Sequence, residues 1–226
     1  MSLLRAREFF VGAFHDLPNV LFVGSLVLGS MLGYLPLVWL AIGMLLNGAI
    51  VSILQGLLAV LFVSPSSAWG QVAVERGAYA CEILSSESYS PLKSGLTIVA
   101  PSHWLAATIF FSTFSIYNSI RVAMREATPG TSSDLVDVRR AFSLSAMVVG
   151  IVFFALVLGR GFTGCETWLG GGLGTLLGVG TAIGYWHLLD ACGTGLIPDI
   201  LQVVASSAPP GSGETVPVIC TPEKHD

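Results

Sequence analysis

Charged residues are scarce in this chain, and one long stretch has none. The 226 residues are 53% hydrophobic and 11% charged, whereas an ordinary soluble domain is about 25% charged. From Leu17 to Val74, 58 consecutive residues include no Asp, Glu, Lys or Arg. Because a helix needs about 20 apolar residues to cross a bilayer, this stretch is long enough for two spans. The sequence therefore predicts an integral, multi-pass membrane protein.

Basic clusters are also absent. Lys and Arg total 10 against 14 Asp and Glu, and the net charge is -4. Nucleic-acid-binding proteins concentrate Lys and Arg in a patch or stripe, so we exclude nucleic acid as a partner. We expect no cofactor and no bound metal, and we interpret His187 as a residue of the membrane interface.

The charge-free runs predict an all-α fold, a polytopic transmembrane helical bundle over residues 17–204 with about five spans. A turn between the first two spans is indicated by Gly33-Tyr34-Leu35-Pro36, which combines a flexible residue, an interfacial aromatic residue and a proline suited to a first helical turn. The predicted spans are residues 20–33, 37–63, 101–120, 141–159 and 167–189.

Three further segments flank these spans. Residues 1–16 mix Arg5, Arg7 and Glu8 with apolar residues, which favours an interfacial amphipathic helix; a frayed terminus is the alternative. Residues 64–100 are predicted to form an extramembrane loop, and residues 205–226 an irregular tail.

Five spans fix which segments share a face of the membrane. The N-terminus, the 64–100 loop and a short loop over 160–166 lie on one face, and the 121–140 loop and the tail lie on the other. The 121–140 loop holds four Arg. Because Arg and Lys are in excess in cytoplasmic loops, we predict that its face is cytosolic.

Glycines repeat at intervals of four residues in the fifth predicted span. Such spacing leaves one side of a helix bare, so a neighbouring helix can approach its backbone closely. We predict close helix packing at Gly170, Gly174, Gly178, Gly180 and Gly184.

The predicted topology brings three helix ends to one face: the end of span two, the start of span three at Ser102 and His103, and the start of span five after Arg160. A hydroxyl, an imidazole and a guanidinium at one membrane surface are suited to binding and cleaving a phosphate ester. This convergence is the candidate active site.

Here the chain resembles the type 2 phosphatidic acid phosphatase superfamily. Pro101-Ser102-His103 is similar to that family's Pro-Ser-Gly-His without the glycine, and Gly159-Arg160 with Glu166 is similar to its Ser-Arg-x5-His-x3-Asp. The resemblance implies a helical membrane fold and an active site for lipid phosphates. Degenerate members resemble proteins of large DNA viruses with an internal membrane, which implies a place in such a virion membrane.

The departures from the family pattern are specific. Glu166 stands at the nucleophilic His position and Gly170 at the following Asp, while Gln55, Phe62 and Val63 stand where Lys-x6-Arg-Pro is expected. A phosphohistidine mechanism needs the nucleophile and the cations. We therefore predict a pseudoenzyme with a structural or attachment role, whose protein partners bind the 64–100 loop or the tail.

Other interpretations stay open at this stage. The main alternative is a membrane-bound lipid phosphate or pyrophosphate phosphatase. A channel or transporter is a third, although the spans lack the charged residues that usually mark a transport path. His103 with Trp104 fits an interfacial aromatic belt, and Arg160 with Glu166 fits solvated loop charges or an ion pair.

The four cysteines allow three pairings. Only the pairing of Cys81 with Cys165 and of Cys192 with Cys220 avoids crossing the membrane. Four free thiols in a reducing compartment are the alternative.

Overall fold

The chain is all-helical within the residues that the computed structural model describes. These are residues 14, 16–62, 100–124, 133–162, 168–193 and 196–197, with the backbone alone at 59–62, 135 and 160–162. Five helices fill these ranges, which confirms the predicted all-α class. They are α1 Leu17–Met31, α2 Leu35–Phe62, α3 His103–Met124, α4 Ser133–Phe162 and α5 Trp168–Cys192.

The helix bounds differ most from the hydropathy pattern around the predicted 121–140 loop. Helix α3 continues to Met124, and α4 begins at Ser133 rather than at residue 141. The first turns of α4 include Asp134, Asp137 and Arg139. Backbone hydrogen bonding requires no apolar side chains, so a helix can continue through charged residues at which an apolar run stops. Much of the segment predicted to be a loop is therefore helical.

Successive helices run in opposite directions, so α3 and α5 are parallel to each other. The amide of Ser102 donates to the carbonyl of Gly170 (3.0 Å) at one end of this pair, and the indole Nε1 of Trp186 donates to Asn118 Oδ1 (3.1 Å) near the other. Helix α2 is antiparallel to α5, since the Tyr185 hydroxyl donates to the Trp39 carbonyl (2.7 Å). Helix α4 packs along α3, and α1 packs mainly on α2.

Helix α3 is the central element of the bundle. It carries buried residues on nearly every turn, and it packs against α2, α4 and α5. Its buried hydroxyls donate within the helix: Thr108 Oγ1 to the Trp104 carbonyl (2.7 Å) and Ser112 Oγ to the Thr108 carbonyl (2.9 Å). These two hydroxyls are thus satisfied within the helix itself.

Much of the outer surface of the helices is apolar. Two helical segments, Leu35–Leu58 in α2 and Val136–Gly159 in α4, are long and apolar enough to cross a membrane, and Leu17–Met31 is a shorter apolar helix. Large apolar side chains on the outside of α4 include Phe142 and Val149, which are 55% and 68% exposed. Soluble monomers rarely expose contiguous apolar patches of this kind.

The glycines of α5 divide into two groups. Gly170, Gly174 and Gly178 are buried, and a Cβ at Gly174 would lie 2.9 Å from the Ser102 carbonyl oxygen of α3. Gly180 and Gly184 are exposed, and no atom of the described residues lies within 4 Å of an added Cβ at either position. The described helices therefore make no close contact at these last two positions, and the packing predicted there stays a prediction. A residue two positions after Gly178 lies about 200° around the helix, on the opposite side.

Candidate functional site

Three helix segments meet at the end of the bundle where α3 begins. The amide Nε2 of Gln55 in α2 donates to the Pro101 carbonyl (2.7 Å), and the amide of Ser102 donates to the Gly170 carbonyl at the start of α5 (3.0 Å). The sequence places the same three segments together through the alternating direction of the spans. The geometry therefore brings α2, α3 and α5 to the position of the candidate active site.

Ser102 acts as the cap of helix α3. Its side chain is 3% exposed, and its Oγ accepts a hydrogen bond from the Leu105 amide (3.2 Å). This is the usual bond of an N-cap serine to the third residue of a helix. A hydroxyl this deeply buried contributes to helix packing and is not presented to a substrate at the surface.

His103 is hydrogen-bonded to a serine of α2. Its Nε2 lies 3.3 Å from the Oγ of Ser52, and the same Oγ donates to the Gly48 carbonyl (3.0 Å). A serine hydroxyl has a single proton to donate, so the bond between Ser52 and His103 requires the imidazole to donate from Nε2. In this arrangement His103 connects two helices, and its Nε2 is not available as a base.

The remaining predicted site residues are only partly located. Arg160 lies in the last turns of α4, near the start of α3, because Val157 packs in one cluster with Trp104 and Leu105. Its side chain and the whole of Glu166 lie outside the described residues. The predicted convergence of Arg160 with Ser102 and His103 therefore stays a prediction.

A largely apolar pocket of about 370 Å³ lies beside His103, between α1, α2 and α3. Asn19 and His103 are its polar lining residues, and Phe22, Met44 and Trp104 contribute apolar wall. Among the described residues, no group of three or more His, Cys, Asp and Glu side chains is placed to hold a metal ion. The pocket therefore presents one amide and one imidazole within an otherwise largely apolar wall.

A second polar cluster lies at the opposite end of α3 and α5, and the sequence interpretation missed it. The Tyr117 hydroxyl lies 3.0 Å from His187 Nε2, and the guanidinium carbon of Arg121 lies 5.1 Å from the centroid of the Trp186 ring. The sequence does contain a pattern that could have indicated this cluster: polar and aromatic residues follow the same spacing in the two helices. The two sets are Tyr117, Asn118 and Arg121 in α3 and Trp186, His187 and Asp190 in α5. Two parallel helices with equal spacing bring matching turns together.

Cys192 is exposed at the end of α5 and is the one cysteine among the described residues. Cys81, Cys165 and Cys220 lie outside the described residues. The two predicted pairings and the alternative of free thiols thus stay predictions.

Comparison of the chain with protein-family models, with curated proteins and with solved structures finds no match. The resemblance to type 2 phosphatidic acid phosphatases stays a prediction from the short motifs at Ser102 and Arg160.

Proposed function

We propose that this chain is a non-enzymatic, structural membrane protein in which each of the five helices crosses the bilayer. The alternating helix directions support this arrangement, because each helix then ends on the face where the next begins. The exposed apolar surface of α2 and α4 supports it as well. Helices α3 and α5 contain no segment as apolar as Leu35–Leu58 and Val136–Gly159, which fits their place inside the bundle, where polar groups hydrogen-bond to neighbouring helices.

The hydrogen bonds of Ser102 and His103 within the bundle support the non-enzymatic part of the proposal. Ser102 caps α3 and is buried, and His103 is hydrogen-bonded to Ser52 of α2. Catalysis by the Ser102 hydroxyl or by Nε2 of His103 requires that these contacts break. The side chains that resemble a phosphatase motif therefore stabilise the junction of α2, α3 and α5.

The attachment role belongs to the segments outside the helices. We propose that the 64–100 loop or the 205–226 tail binds protein partners and that residues 1–16 lie on the membrane surface as an amphipathic helix. All three segments fall almost entirely outside the described residues. The internal membrane of a large DNA virus is the location that the resemblance implies.

A phosphate-release assay tests the proposal. Purified protein in detergent, supplied with phosphatidic acid or a prenyl pyrophosphate, is expected to release no more phosphate than a variant carrying Ser102→Ala and His103→Ala. Circular dichroism of both proteins shows whether the double variant is folded. Turnover by the wild type that a folded double variant lacks would contradict the proposal and establish the alternative, a membrane-bound lipid phosphatase.

A further inference from the structure

A small cavity of about 170 Å³ opens between the C-terminal ends of α3 and α5. It lies at the end of the bundle opposite Ser102 and His103. Its lining is mixed in polarity and includes one cation and one carboxylate. The lining residues are Arg121, Val122, Met124, Trp186, Asp190 and Ile197.

The Arg121 guanidinium is held in place by the Trp186 ring. Trp186 is 2% exposed, and its indole N–H donates to Asn118, so the ring is a fixed surface for the guanidinium 5.1 Å above it. Arg121 itself is exposed and forms no hydrogen bond or ion pair with another residue in the part of the chain described. A guanidinium has five N–H donors in a planar fork that matches the geometry of a phosphate.

The cavity lining carries charges of both signs, with negative charge in excess. Asp190 contributes a carboxylate. Its two oxygens accept several hydrogen bonds at once, so the carboxylate can bind an ammonium group in addition to another hydrogen-bond partner. The C-terminal ends of α3 and α5 add about half a negative charge each. A ligand with only negative charge meets repulsion from Asp190 and from both helix ends. A ligand carrying a phosphate and a cationic amine has complementary partners for both charges.

The position of the cavity along the helices also matches the depth of lipid headgroups in a bilayer. The 25 residues of α5 extend about 37 Å at 1.5 Å per residue, against a hydrocarbon core of about 30 Å. Asp190 and Arg121 are in the last turns of their helices, where a spanning helix reaches the lipid headgroups. Val122, Met124 and Ile197 provide apolar contact next to the charged pair.

We propose that this cavity binds the headgroup of a zwitterionic phospholipid, with the phosphate on Arg121 and the ammonium group at Asp190. The inference rests on the proposed membrane location. The two opposite charges of the lining point to a phosphate diester that carries a primary or quaternary amine as the ligand class.

Binding of short-chain lipids to the full chain in detergent tests this assignment. Native mass spectrometry or microcalorimetry compares dihexanoyl phosphatidylethanolamine with dihexanoyl phosphatidylglycerol, which has the phosphate but no amine. Wild type is expected to bind the ethanolamine lipid at least tenfold more tightly. Arg121→Gln is expected to lower that affinity at least tenfold, and Arg140→Gln, at an exposed arginine of α4, serves as the matched control and should leave it unchanged.

The variant Asp190→Asn distinguishes recognition of the lipid amine from a general loss of folded structure. Removing the carboxylate is expected to weaken binding of the ethanolamine lipid and to strengthen binding of the glycerol lipid, whereas a folding defect weakens both. Soluble phosphoethanolamine distinguishes a free phosphate compound from a lipid, and it is expected to bind at least tenfold more weakly than the lipid.

Three results would overturn the assignment: equal affinity of wild type for the two lipids, no loss of affinity in Arg121→Gln, or phosphoethanolamine binding as tightly as the lipid. Binding in detergent reports on the cavity whether or not the helices span a bilayer, and phosphate release reports on Ser102 and His103. Failure here is therefore distinguishable from failure of the proposed function.

Discussion

The contact between α5 and α3 at Gly178 predicts a specific sensitivity to a single added methyl group. In Gly178→Ala, the new Cβ would lie 2.7 Å from the Ala106 carbonyl oxygen and 2.9 Å from the Ile109 Cβ. Both atoms are attached closely to the α3 backbone, so neither can move aside by a side-chain rotation. The two helices must separate, and overpacking of this kind costs about 1–3 kcal/mol.

Gly184→Ala is the matched control on the same helix. Within the described part of the chain, no atom lies within 4 Å of a Cβ at Gly184, so this change meets no steric cost there. Alanine is favoured over glycine inside a helix by about 0.8–1.0 kcal/mol. The two identical substitutions are therefore expected to change the free energy of unfolding in opposite directions.

Thermal unfolding in detergent, followed by circular dichroism, measures the difference. For a chain of this size, about 1 kcal/mol shifts Tm by about 2–4 °C. The helix preference of alanine offsets about 0.8–1.0 kcal/mol of the overpacking cost at Gly178. We therefore expect Gly178→Ala to unfold up to about 8 °C below wild type and Gly184→Ala about 2–4 °C above it. Equal Tm values for the two variants would refute the assignment of Gly178 to a close helix contact.

Two further predictions concern topology and a polar contact between helices. Single cysteines introduced at Ser88 and Phe162 should react with an impermeant reagent from one side of the membrane, and a single cysteine at Ser132 should react from the other side. Labelling of positions 88 and 132 from the same side would contradict five spans. Tyr185→Phe removes the hydrogen bond to the Trp39 carbonyl and should lower stability by about 0.5–1.5 kcal/mol, and a Tm equal to that of wild type would show that the bond contributes nothing.

The candidate active site was only partly predictable. Alternation of helix direction follows from chain connectivity, so the meeting of the α2, α3 and α5 segments near Ser102 could be predicted without coordinates. The use of Ser102 as a helix cap and of His103 as a bond to Ser52 could not be predicted, because it depends on helix rotation and on burial. A motif specifies residue types and spacing, whereas tertiary packing decides whether their polar atoms remain available.

The cluster of Arg121, Trp186 and Asp190 illustrates the same division. Each helix alone shows only an interfacial aromatic residue and a charged residue. The matching spacings indicate contact between the two sets of residues only when α3 and α5 are known to be parallel and adjacent. Long-range contacts between helices separated by tens of residues leave little local trace in a sequence.

The sequence by itself determined the helical class, because charge-free runs of suitable length favour helices whose backbone groups are all internally bonded. The glycine repeat likewise indicated that α5 has a bare side. Tertiary structure alone decided that Gly174 and Gly178 face α3 while Gly180 and Gly184 face outward. Every four-residue repeat looks alike along the chain, and the rotation of each helix about its axis is set only by the shape and polarity of the helices packed against it.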